Sequence, residues 1–222
     1  MEWVWTLAAI VAAYLIGSLS FAVIVSRLFG IADPRSYGSK NPGATNVLRS
    51  GHRGAAVLTL ALDALKGYVP VLLALLYAPQ WDLPEWTAGA VGLAAFVGHL
   101  WPVFFRFAGG KGVATAAGVL MAFNPVLGVA TLLTWAIVAG FMRYSSLASI
   151  VAAAFAPFFQ MLMWGTEPIL PFIIVMSLLL VWRHEGNIRK LLGGTESRLG
   201  HKAPSPAGTT PASHSRSQRK GH

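Results

Sequence analysis

The residues from Val113 to Met142 read VATAAGVLMAFNPVLGVATLLTWAIVAGFM, a run with no charged residue and one interruption, Asn124-Pro125. A helix rises 1.5 Å per residue, so about 20 apolar residues cross the roughly 30 Å of hydrocarbon in a bilayer. A soluble helix would carry a polar stripe, and this run has none. Proline lacks an amide hydrogen and its ring clashes with the preceding turn, so the run must break there. The stretch predicts two apolar helices meeting at Asn124-Pro125, the first of them too short to be a conventional span.

The rest of the chain agrees. Its 222 residues are 55% hydrophobic and only 11% charged, with mean hydropathy +0.59, 23 Gly, 13 Pro and eight Trp. A soluble domain carries about 25% charged residues, and membrane helices tolerate Gly and Pro while Trp gathers at the interface. This composition excludes a soluble enzyme and a disordered chain. The absence of cysteine removes disulfides, thiolate metal sites and a thiol nucleophile. The expected fold is an all-α integral membrane protein with seven transmembrane helices, some short or broken, over residues 3–28, 55–77, 88–105, 113–123, 126–142, 147–164 and 168–182. Six crossings with a re-entrant fourth segment are the alternative. The first segment lacks a basic leader and a small-residue cleavage site, so it is expected to stay as a helix.

Orientation follows from lysine and arginine in the short loops. Seven crossings put Arg27, Arg35, Lys40, Arg49, Arg53, Arg106, Lys111, Arg143, Arg183, Arg189 and Lys190 on one side, and Glu2, Asp82, Glu85 and Glu167 on the other. A re-entrant fourth segment would move Arg143 to the acidic side. The N-terminus is expected outside and the C-terminus in the cytoplasm. Residues 195–222 carry Arg198, Lys202, Arg216, Arg219 and Lys220 against Glu196, which is +4 of the net +9. Rich in Ser, Pro, Gly and Thr, this stretch cannot bury enough apolar surface to offset its ordering entropy. The expected division is therefore a membrane domain over 1–194 and a disordered basic cytoplasmic tail over 195–222, facing anionic lipid and not nucleic acid.

Four polar clusters fall on the basic side: residues 33–46, 109–115, 143–149 and 183–189. Gly109, Gly110, Lys111 and Gly112 lead directly into a helix. Glycines let backbone amides approach an anion, the helix start offers free N–H groups and positive dipole, and the lysine adds a charge. The run reads as a phosphate cradle, with a flexible hinge as the plain alternative; the ATP-loop pattern is not met, because Gly112 follows the lysine. His184 and Asn187 lie three apart and share a face if the last helix continues through them. His99 sits inside the third span near the same side. Asp63 and Lys66, three apart in the second span, can pair, either as a structural couple or as a pocket floor. No spacing suits a metal.

These residues resemble a known family. Gly38-Ser39-Lys40-Asn41-Pro42-Gly43-Ala44-Thr45-Asn46, Gly98-His99 with Pro102, Gly109-Gly110-Lys111-Gly112-Val113-Ala114-Thr115, Ser146-Leu147 with Ser149, and His184 with Asn187-Ile188-Arg189 are similar, in order and spacing, to the bacterial acyl-phosphate-dependent glycerol-3-phosphate acyltransferases. The resemblance covers the chain except the tail. It implies a seven-helix enzyme of the bacterial inner membrane, active as a monomer. That enzyme moves a fatty acyl group from acyl phosphate to the 1-hydroxyl of glycerol 3-phosphate, without cofactor or metal. By the same resemblance Asn41, Thr45, Asn46 and Arg49 line the polar pocket with Ser39, and Lys111 with Gly109, Gly110 and Gly112 holds a phosphate. Ser146 and His184 join that site, Asn187 orients the attacking hydroxyl, and Ser39, His184 and Asn187 form the catalytic set. A transporter of phosphorylated metabolites is the rival class.

Overall fold

The computed structural model describes residues 2–199 and contains helices and turns, with no strand among the described residues. Among the described residues ten α-helices follow one another: α1 Glu2–Gly17, α2 Phe21–Leu28, α3 Ala44–Arg49, α4 Arg53–Tyr77, α5 Thr87–Leu100, α6 Val113–Phe123, α7 Pro125–Met142, α8 Ser145–Trp164, α9 Leu170–Arg183 and α10 Glu185–Leu192. By length and hydropathy α4, α7, α8 and the 19-residue stretch from Thr87 to Phe105 can each cross a bilayer. The pair α1 and α2 makes a fifth candidate, bent by 41° between its halves, while α6 and α9 are shorter apolar helices. The seven apolar segments thus lie where the sequence places them.

Two breaks shape the bundle, and they differ in kind. Between α6 and α7 the chain turns without a loop, because Asn124 adopts an extended backbone and its Oδ1 accepts the Val126 N–H at 2.8 Å. With Pro125 next, the new helix starts capped and without a surplus amide. Between α1 and α2 no proline intervenes. Ser18 Oγ instead donates to the Tyr14 carbonyl at 2.8 Å, and the freed Leu19 carbonyl accepts from Lys66 Nζ at 2.7 Å. An unwound backbone at bilayer depth needs such internal partners, since no water is there to supply them.

Helices approach closely where both faces are small. A Cβ on Gly98 of α5 would collide with the backbone of Tyr14 and Ser18, and one on Gly118 of α6 with the backbone of Ala64 in α4. Close backbone contact is the main attraction between helices in lipid, where apolar burial supplies little. The core between them holds Val71, Val91, Phe96, Leu100, Val119, Leu120, Leu127, Ile173 and Met176. The outer surface is apolar as well: Phe141 of α7 is 83% exposed and Leu178 of α9 65%. In water such a surface would aggregate; in a bilayer it faces acyl chains. Paired tryptophans mark both ends, Trp3 with Trp86 and Trp5 with Trp81 at one, Trp101 with Trp182 at the other.

At the second end α2, α3 and α4 enclose a smaller core of Ala22, Val25, Val47, Ala55 and Ala56. It fixes α3 and, with it, the loop running from Gly30 to Gly43.

Candidate functional site

The glycine loop is held from two sides. Arg183, at the end of α9, donates to the carbonyl oxygens of Gly109 at 3.1 Å and Gly110 at 3.1 and 3.2 Å. The Gly110 N–H donates to the His99 carbonyl at 3.1 Å. A trans peptide directs its N–H opposite to its C=O. With the Gly110 oxygen turned to Arg183, the Lys111 N–H points away from the guanidinium. Gly112 has φ +82°, a left-handed turn that favours glycine, and α6 begins at the next residue. The first amides of α6 have no capping side chain. Free N–H groups at a helix start beside a lysine form an anion site. Side chains at Gly109 or Gly110 would collide with His99, and at Gly110 also approach the Pro42 carbonyl. The first and second motif loops are therefore in contact.

Lys111 is tied into a relay. Its Nζ donates to Asn187 Oδ1, and Asn187 Nδ2 donates to Glu196 Oε1 at 2.7 Å. Ser146 Oγ, on the first turn of α8, donates to the same carboxylate oxygen at 2.7 Å. The two ends of the Asn187 amide are thereby assigned, oxygen to the cation and nitrogen to the anion. Burial lowers the Lys111 pKa to about 8, against the pull of Glu196 and with the repulsion of Arg49, Lys190 and Arg183. Such a cation gains more from an arriving phosphate than a solvated one does.

His184 is 2% exposed and lies between α9 and α10, so the last helix does not run straight through it. Its carbonyl nevertheless accepts the Asn187 N–H at 2.8 Å, which keeps the expected three-residue register. Its Nδ1 stands 2.8 Å from the Leu180 carbonyl. A carbonyl only accepts, so Nδ1 carries the proton and Nε2 of the neutral ring is an acceptor. Burial, with the repulsion of Lys111, lowers the pKa to about 4, so the ring is neutral at physiological pH.

The first motif divides into scaffold and surface. Asn46 is buried, accepts the Ser39 N–H at 3.0 Å and donates to the carbonyls of Pro34 at 2.6 Å and Tyr37 at 3.2 Å. It folds the loop over itself, its amide turned to the loop's own backbone. Gly38 and Lys40, on either side of Ser39, have φ +56° and +55°, so the serine is carried on a sharp turn. Ser39 and Thr45 are exposed and Asn41 is half-buried, its amide against Gly43. Asp33, held well below the usual carboxylate range by the Arg35 side chain, closes the loop's first turn. Arg49 reaches from α3 to Ser197 Oγ at 2.5 Å.

Composition assigns Glu196 to the tail. Residues 195–199 instead lie against the basic end: Leu199 N–H donates to the Arg143 carbonyl at 2.7 Å, and Arg198 lies over the Tyr144 ring. The expected tail beyond Leu199 falls outside the described residues. One signal is present in the sequence, since Glu196 is the only carboxylate within ten residues on either side, among Arg189, Lys190, Arg198 and Lys202. Arg183, which the sequence places in the fourth polar cluster without a role, clamps the glycine loop.

Three comparisons agree. Residues 7–194 match the glycerol-3-phosphate acyltransferase family. A glycerol-3-phosphate acyltransferase of Paraburkholderia phytofirmans is 61% identical over 202 residues, 91% of this chain and 94% of the relative. One from Burkholderia vietnamiensis is 63% identical over 203 residues, covering 90% and 93% of the two chains. Among solved structures, the crystal structure of PlsY (YgiH), an integral membrane glycerol 3-phosphate acyltransferase, in its glycerol 3-phosphate form superposes with TM-score 0.82 at 40% identity, over 88% of this chain and 96% of that one. Its lysophosphatidic acid form gives 0.80 at 39%, over 87% and 94%.

Proposed function

The chain belongs to the glycerol-3-phosphate acyltransferase family, and from that premise we propose that it moves a fatty acyl group from acyl phosphate to the 1-hydroxyl of glycerol 3-phosphate, releasing lysophosphatidic acid and phosphate. The observation that carries this reading is the gathering of Lys111, Arg49, Arg183 and Lys190 around a glycine loop at one end of an apolar bundle. Both substrates bring a phosphate to that end, while the acyl chain of one stays among lipid-facing helices. The solved relatives in glycerol 3-phosphate and lysophosphatidic acid forms support the acceptor and the product class.

An acyl phosphate is a mixed anhydride and already activated. The acceptor hydroxyl attacks the acyl carbon, the bond to phosphate oxygen breaks, and the hydroxyl proton leaves with the phosphate or by way of a neighbouring acceptor. Lys111 and the first amides of α6 hold phosphate charge, Asn187 Oδ1 and Ser146 Oγ keep lone-pair capacity to accept from the hydroxyl, and neutral His184 offers Nε2 as an acceptor. Placement and charge stabilisation supply the rate, with no covalent nucleophile required. Ser39, at its turn tip, serves as a hydroxyl donor to a phosphate. The enzyme works in a bacterial inner membrane, crosses it seven times with the N-terminus outside, and acts as a monomer without metal or cofactor.

The test is purified protein given glycerol 3-phosphate with acyl phosphate or with acyl-CoA. Lysophosphatidic acid and phosphate should appear in equal amounts from acyl phosphate alone; product from acyl-CoA at a matching rate would remove the proposed donor.

A further inference from the structure

Beneath the glycine loop lies a buried polar cluster that the chemistry above leaves unused. Asp63 and Lys66 of α4 are 2% and 3% exposed and stand 2.8 Å apart. Lys66 Nζ also donates to the Leu19 carbonyl at 2.7 Å, in the break between α1 and α2, so the carboxylate is moored to a fixed point of the bundle. His99, in the last turn of α5, is 7% exposed with its Nδ1 3.7 Å from Asp63 Oδ1. His99 Nδ1 completes no hydrogen bond, while Asp63 Oδ1 is held by the Lys66 ammonium. The opposite edge of the ring faces the loop, because a Cβ on Gly110 would collide with His99 Nε2. The backbone makes the same connection, through the Gly110 N–H and the His99 carbonyl at 3.1 Å.

His99 is therefore a wedge between a buried carboxylate and the loop that carries Lys111. A negative charge in a low-dielectric interior acts strongly over 3.7 Å. It favours the tautomer with the proton on Nδ1, and the unprotonated Nε2 edge packs against Gly110. Lys66 offsets the carboxylate's desolvation without touching the loop.

We propose that Asp63 and His99 are a positioning couple for the phosphate-holding loop: the carboxylate orients the imidazole, and the imidazole with its own carbonyl sets the Gly109-Gly110-Lys111 backbone so that its free N–H groups face substrate phosphate. This rests on the reading of that loop as the phosphate site. Neither residue touches substrate; both act through the loop.

The test uses the full chain in detergent or vesicles, with Asp63→Asn, His99→Gln, His99→Leu and the Asp63→Asn/His99→Gln double variant. The KM for the substrate whose phosphate sits on the loop should rise by about tenfold, equivalent to ~1.4 kcal/mol, with a smaller change in kcat. His99→Gln, which keeps a polar edge, should retain more affinity than His99→Leu. The double variant should be no worse than the poorer single, as expected of residues acting as one unit. Equal losses in kcat with unchanged KM, or single effects that multiply in the double, would overturn the couple. Should Asp63→Asn fail to accumulate, Asp63→Asn/Lys66→Met removes both charges together and takes its place, with the same expectation. Equilibrium binding of inorganic phosphate needs no turnover and keeps the two readings apart. A wild type that binds phosphate but makes no lysophosphatidic acid defeats the proposed reaction. Variants that bind phosphate as tightly as wild type defeat the couple.

Discussion

In the proposed reaction Lys111 is the residue on which the chemistry turns, and its environment makes two measurable statements. Lys111→Ala removes a charge-assisted hydrogen bond, typically about 1.5–3 kcal/mol, so kcat/KM should fall roughly tenfold to hundredfold. Its pKa of about 8 puts a pH limit on the free enzyme. Below that value the ammonium is charged and attracts phosphate; as pH rises through it the charge is lost, so kcat/KM should decline on the alkaline side. A guanidinium does not titrate there, so Lys111→Arg should be slower yet lack the decline. An identical alkaline fall in both proteins, measured with full pH profiles, would assign it elsewhere. Glu196 has a complementary prediction. Glu196→Ala strips the shared acceptor from Asn187 and Ser146 and should cost about tenfold or more in activity at unchanged fold. What the sequence revealed at this scale was residue type in context: a lysine among glycines ahead of a helix, and Asp63 three residues from Lys66. It did not reveal His99 as their third member or Glu196 as the hub, because each depends on segments distant in the chain meeting at one point.

Among the elements, breaks were legible where backbone chemistry forces them and hidden where tertiary contact makes them. Asn124-Pro125 ends α6 by local backbone chemistry, the missing amide hydrogen and the proline ring. The bend at Ser18, Leu19 and Ser20 sits in a continuous apolar run, and its carbonyl is satisfied by Lys66 from another helix. The short helices α3 and α10 lay in stretches too polar and too brief to show a period. Residues 195–199 had the composition of a free tail, yet their side chains and backbone bond to the basic end. Two truncations separate these views. A chain ending at Gly194 loses Glu196 and Ser197 and should lose most acyl transfer; one ending at Leu199 keeps every contact described and should retain it. Equal activity in both would show that Glu196 and its neighbours are dispensable. Close packing has its own test, since Gly98→Val drives a side chain into the Tyr14 backbone of α1. It should lower thermal stability in detergent, by about 1–3 kcal/mol of overpacking strain.

Taken whole, the molecule separates its chemistry by side. Cations, glycines and hydroxyls collect at one end, tryptophan pairs mark both, and the flanks are apolar. With that polarity, a cysteine introduced at Glu85 or Glu167 should react with an impermeant reagent outside intact cells, whereas one at Lys40 or Arg189 should not. Outside labelling at Lys40 would reverse the orientation. The central claim is that both substrates meet in this single end and react directly, Ser39, His184 and Asn187 never becoming acylated. Initial rates with acyl phosphate and glycerol 3-phosphate varied against each other test it most directly. Intersecting lines are predicted, as for two substrates held together before reaction. Parallel lines, with labelled acyl group recovered on Ser39 when glycerol 3-phosphate is withheld, would contradict it.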